Sequence, residues 1–157
     1  MLNVTLKKAI ACGLISSVLL FPMVPAAIAA TPEQCALREE SFGFTIDDYG
    51  IEHQNTAILN IAVDFRYVDQ PTARRENYLN FVPMAAEIDR FLREYPNETD
   101  YWEIMNRNLA ESLFAQNPQM ESLRVRLAVA KGSGDEPFNR HSVVSLTRDN
   151  GCPLTHS

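Results

Sequence analysis

From Thr56 to Asp69 the chain alternates between apolar and polar positions without a break. Ala57, Leu59, Ile61, Val63, Phe65 and Tyr67 fall on one side, and Asn60, Ala62, Asp64 and Arg66 on the other. A period of two held this long describes a strand in a sheet with one buried face, not an amphipathic helix, whose period is about 3.6. The rest of the chain must therefore supply partner strands and an apolar layer to cover that face.

Both are legible. Ser41–Ile46 reads as a short strand with Phe42, Phe44 and Ile46 on one side, and Asp47-Asp48-Tyr49-Gly50 reads as a turn. Gln70-Pro71-Thr72 closes the long strand, and a charged connector runs from Ala73 to Asn80. A helix is expected from Pro83, a residue suited to the first helical position. It carries Ala85, Ile88, Phe91, Leu92 and Tyr95 at helical spacing until Pro96 stops it. A second helix begins at Thr99 or Asp100, with Trp102, Met105, Leu109, Leu113 and Phe114 on its stripe, and ends at Asn117-Pro118. Leu123, Val125, Leu127 and Val129 then alternate as a third strand. A Gly- and Pro-containing loop spans Lys131 to Arg140, and Ser142–Arg148 forms the last strand. The order ββααββ implies an α+β fold, an antiparallel four-stranded sheet with two helices packed on one face.

Residues 1–30 read as a secretory signal peptide. Lys7 and Lys8 precede an uncharged stretch from Ala9 to Phe21, and Ala27-Ile28-Ala29 offers the small-x-small exit that signal peptidase needs. An uncleaved anchor is the other reading of this stretch, which approaches the roughly 20 residues of a membrane span; Pro22 and Pro25 interrupt it. Cys12 sits inside the apolar region, away from any lipid-attachment position. The expectation is a periplasmic or secreted protein.

Removing 30 of the 157 residues leaves 127, the size of one domain, here 31–157. With Lys7 and Lys8 gone, 12 basic residues face 20 acidic ones, a balance of −8. Such a surface repels phosphate backbones and anionic lipid heads, which argues against nucleic-acid partners and against a membrane role after signal cleavage. Two cysteines remain, Cys35 and Cys152. In an oxidising compartment they form a bridge across more than a hundred residues, valued at roughly 4 kcal/mol by the chain-entropy argument, or each pairs with another subunit.

The element order, and above all the stretch from Phe81 to Val129, resembles the tunnelling fold (T-fold) shared by dihydroneopterin aldolase, its epimerase relatives and urate oxidase. The residues that carry the resemblance are Phe81-Val82-Pro83-Met84-Ala85-Ala86-Glu87 opening the first helix, Asp100-Tyr101-Trp102-Glu103-Ile104-Met105 opening the second, and Leu123-Arg124-Val125-Arg126-Leu127 in the strand that follows. The resemblance implies a homo-oligomer with ligand sites between subunits, and no cofactor. It places Glu103 where the family's helix-opening glutamate anchors the amino-pyrimidine edge of a pterin, with Tyr101 and Trp102 beside it to stack on a flat ligand. One carboxylate accepting two parallel N–H bonds suits that edge. Lys131 falls near the family's proton-transferring lysine and Glu52 near its N-terminal glutamate. The family's tyrosine falls at Phe81, which has no hydroxyl, and this departure points away from full aldolase activity; Tyr78 lies close to it.

Each of these residues also has a plainer reading. Glu103 would complete a capping box with Asp100 as N-cap, Trp102 belongs to the helix stripe, and Lys131 is a loop lysine. His53, His141 and His156 are scattered and read as solvated, with no metal-site spacing among them. Gly132-Ser133-Gly134 reads as a turn, and Arg124 and Arg126 face water or an acidic partner from another subunit. Two functions therefore stand: an exported T-fold protein binding a pterin- or purine-like heterocycle through Glu103, or a non-enzymatic exported α+β module mediating protein contacts.

Overall fold

The long alternating segment lies in the middle of a sheet, as its pattern requires. The computed structural model describes residues 31–36, 40–53, 56–68, 78–96, 99–131 and 140–154; the leader, Gly132-Ser133-Gly134 and His156 lie outside them. In chain order the elements are α1 (Pro32–Ala36), β1 (Phe42–Glu52), β2 (Thr56–Tyr67), α2 (Phe81–Glu94), α3 (Trp102–Gln116), β3 (Met120–Lys131) and β4 (Arg140–Thr147). The strands form one antiparallel sheet in the order β1-β2-β3-β4. This is the expected α+β arrangement, preceded by the short α1.

β2 and β3 are central because both carry an unbroken apolar face. Ile61 pairs with Leu127 and Val63 with Val125, and none of the four is more than 1% exposed. Met84, Ile88 and Leu92 of α2 and Met105, Leu109 and Leu113 of α3 cover that face. Burying a side chain of this size contributes about 1.5–3 kcal/mol, so this layer holds the fold together. α2 lies toward β1, where the Tyr49 hydroxyl donates to Asp89 Oδ1 at 3.0 Å, and α3 lies over β3 and β4.

Asp47-Asp48-Tyr49-Gly50 is not a turn. β1 runs through it to Glu52, and a bulge absorbs the irregularity: Ile46 pairs with Ile61 and Tyr49 with Leu59, leaving Asp47 and Asp48 opposite Asn60. Asp48 takes a left-handed φ of 54°, a conformation that aspartate tolerates better than most residues. Its N–H donates to Asn60 Oδ1 at 2.9 Å. The bulge keeps Tyr49 and Ile51 on the helix-facing side with Phe42, Phe44 and Ile46. Pairing with β2 thus overrides the local turn composition.

Helix ends also move from their expected places. α2 begins at Phe81, ahead of Pro83, because the Asn80 side chain accepts from the Val82 N–H at 3.1 Å. At the far end of α3, Arg148 donates from Nε to Met120 O at 2.7 Å, and from its terminal nitrogen to Phe114 O at 2.9 Å and Asn117 O at 3.1 Å. It thereby satisfies carbonyls that the helix leaves open and sets a positive charge at the negative end of its dipole. Arg124 does not wait for another subunit: it pairs with Asp64 on β2 at 3.1 Å, while Arg126 is exposed.

Cys35 and Cys152 form an intrachain disulfide with Cα atoms 5.2 Å apart. Beside it the buried Arg66 donates to Glu40 O at 3.4 Å and to Pro153 O at 3.2 Å. The two terminal segments are therefore clamped to the end of the sheet where Ser122 pairs with Thr147.

Candidate functional site

At the opposite end of the sheet the described residues form a cleft of about 440 Å³ between the start of α3 and the sheet edge, within the roughly 300–1,000 Å³ of small-molecule sites. Tyr101, Trp102 and Glu103 line it from α3, Leu127 and Val129 from β3, and Arg140, His141 and Ser142 from β4. Apolar strand residues give it a flat floor, and charged groups of both signs stand at its rim.

The α3 wall is built from an unusual helix start. Asp100 does not cap the helix: its carboxylate accepts from the Tyr95 hydroxyl at 2.6 Å, and that oxygen accepts in turn from Asn108 Nδ2 at 2.7 Å. The N-cap is Tyr101, whose side chain makes no capping bond. The capping box therefore does not form, and Glu103 is not drawn into it. Glu103 is exposed in the first turn, and its carboxylate has no hydrogen-bond or ion-pair partner among the described residues. Ile104 and Met105 donate to Tyr101 O at 2.9 and 3.1 Å, while the N–H groups just before them have no intrahelical acceptor. That positive end of the helix dipole attracts negative charge.

Trp102 serves two surfaces. It is 8% exposed and belongs to the core, and it also borders the cleft. Tyr101, by contrast, is 69% exposed. Glu52 is not part of this site; it ends β1, is exposed and accepts from Thr56 Oγ1 at 2.8 Å. Lys131 ends β3 opposite Ile58, and its side chain lies outside the described residues. Phe81 packs against Phe44 with ring centroids 6.0 Å apart and does not line the cleft.

Two further residues support the site: Asn106, which the sequence did not single out, and His53, which it marked as solvated. Asn106 is fully buried one turn beyond Trp102 and donates from Nδ2 to Val125 O at 3.2 Å and Ser142 Oγ at 3.1 Å, tying α3 across β3 to β4. Its only sequence signal is a polar residue inside an apolar stripe. His53 is not solvated: it is 1% exposed, its ring meets Trp102 edge-on at 4.6 Å, and its Nε2 lies 2.9 Å from Asp100 O. Nothing in the local sequence marks that burial.

Burial first, and then the hydrogen bond to the Asp100 carboxylate, push the Tyr95 phenol above its ordinary value; burial and Asp89 do the same to Tyr49. A phenol raised on folding adds stability below its unfolded value near 10, and that stability is lost as pH rises through the folded value. Melting temperature is therefore expected to fall above about pH 10. The double variant Tyr49→Phe, Tyr95→Phe should fall less steeply in melts between about pH 8 and 11; an unchanged slope would place the alkaline sensitivity elsewhere.

No family model matches the chain, and no curated protein matches it in sequence. Among solved structures, it is similar to a dihydroneopterin aldolase from Burkholderia thailandensis in complex with guanine. The TM-score is 0.50 at 13% identity, over 69% of this chain and 93% of that one. The shared feature is the fold, a four-stranded antiparallel sheet with helices, of the dihydroneopterin aldolase-like T-fold kind.

Proposed function

We propose that the cleft binds a flat heterocycle of the guanine or pterin kind, with Glu103 accepting two N–H bonds from its amino-pyrimidine edge. The observation that carries the reading is that Glu103, without a partner among the described residues, shares one cleft with Tyr101 and Trp102 over an apolar floor. Guanine is the ligand of the structural neighbour. Its ring N–H and amino group form the paired donor edge that a carboxylate matches. We read the protein as exported after removal of residues 1–30 and as a homo-oligomer. The Cys35–Cys152 bridge is compatible with export, and no helix among the described residues is long and apolar enough to cross a membrane. Phe81 in place of a hydroxyl-bearing residue favours binding without full aldolase activity, and Lys131 is the residue to test if turnover is found.

Calorimetric titration of the oxidised protein with guanine and neopterin tests this. Glu103→Gln replaces one acceptor by a donor facing an N–H, so the affinity is expected to drop roughly 10- to 100-fold. Because Glu103 is exposed and has no partner among the described residues, the variant's stability should stay within about 0.5 kcal/mol. Equal affinity in the two proteins would remove Glu103 as anchor. No binding by either would favour the protein-contact module, which has the exposed Tyr78, Phe81 and Val82, at 44%, 57% and 61%, as its supporting feature.

A further inference from the structure

Behind the cleft sits a side chain whose burial demands an explanation. His53 follows β1 and is 1% exposed. Its Nε2 lies 2.9 Å from Asp100 O; a carbonyl only accepts, so Nε2 carries the proton and donates. Nδ1 is buried and has no hydrogen-bond partner among the described residues. A phenylalanine would fill the same space and leave no polar atom stranded. What the imidazole adds is a donor to Asp100 O from a ring that also backs Trp102 at 4.6 Å and faces Tyr95 at 6.0 Å.

That bond anchors the residue that leads into α3. The helix has no side-chain cap, and the Asp100 carboxylate is turned away to Tyr95. The segment that delivers Tyr101, Trp102 and Glu103 to the cleft is held from behind, by His53 on the Asp100 carbonyl and by the Asp100–Tyr95–Asn108 bonds. We propose that His53 is a positioning residue of the cleft: by bonding Asp100 O and backing the indole of Trp102, it fixes where the stacking ring and the Glu103 carboxylate meet a ligand. This rests on the heterocycle reading above. The bond from Nε2 matters in it and Nδ1 does not.

Two variants separate these roles. His53→Phe keeps a ring against Trp102 and loses the donor. His53→Gln loses the ring and keeps an amide nitrogen near the place of Nε2. Trp102 is the chain's single tryptophan, so its emission reports on the cleft. His53→Phe is expected to stay folded, to shift the Trp102 emission and to bind guanine about tenfold more weakly. His53→Gln should restore affinity to within about threefold of the wild type. Guanine binding by His53→Phe at wild-type strength would overturn the proposal. Failure of the wild type to bind guanine would instead sink the heterocycle reading. Amide exchange at residues 101–104 then decides the positioning role: faster exchange in His53→Phe than in His53→Gln supports it, and equal rates overturn it.

Discussion

Replacing Cys35 and Cys152 by serine is expected to lower stability by about 4–5 kcal/mol, one of the two largest effects we anticipate. The bond joins residues 117 apart in sequence, so its loss returns a long loop's freedom to the unfolded chain. A local loss adds to this. Arg66 is buried and has Glu40 O and Pro153 O as acceptors, both carried by the clamped terminal segments. Once those segments fray, the guanidinium loses bonds that kept its burial tolerable. The β2–β3 layer does not depend on the clamp, so the variant should still fold. Urea unfolding should show an earlier midpoint and a steeper dependence on denaturant, because the uncrosslinked unfolded chain is less compact. Wild-type protein in reductant should behave the same way, and an unmoved midpoint there would mean that the clamp carries no stability. The cleft is at the other end of the sheet, so guanine binding by the folded variant should change by less than about twofold.

Leu109→Ala comes next, with an expected loss of about 2–5 kcal/mol. Leu109 is fully buried on α3, on the same stripe as Trp102, Met105 and Leu113. Its neighbours are strand and helix side chains held by their own pairing, so the site cannot collapse to fill the space. Leu109→Met keeps most of the volume and should cost less than about 1.5 kcal/mol. Equal losses in the two variants would show that volume at this position is not what holds α3 to the sheet. The same measurements bear on the cleft, since one of its walls is the first turn of this helix.

The fold was legible wherever the pattern was long. Six alternating apolar positions between Ala57 and Tyr67 left β2 no other assignment; the α3 stripe named Trp102, Met105, Leu109 and Leu113 among its buried residues, and the α2 stripe named Ile88 and Leu92 but not Met84. Short signals failed where a distant partner decided the outcome. Asp47-Asp48 looks like a turn until Asn60 is placed opposite it, and Asp100 looks like an N-cap until Tyr95 claims its carboxylate. The cleft was legible only on its α3 side. Tyr101, Trp102 and Glu103 are consecutive and chemically conspicuous, whereas Ser142 and His141 reach the cleft only through the pairing of β4 with β3. His53 was invisible because its burial comes from contacts with Tyr95, Asp100 and Trp102, far along the chain and across the helix connection.

A crystal structure of the oxidised protein soaked with guanine decides whether the start of α3 is a binding site. Guanine should lie in the cleft beside Trp102, with two of its nitrogens about 2.7–3.0 Å from the Glu103 carboxylate oxygens. An empty cleft at saturating guanine, or guanine bound with Glu103 still turned to solvent, would leave this end of α3 without the role assigned to it.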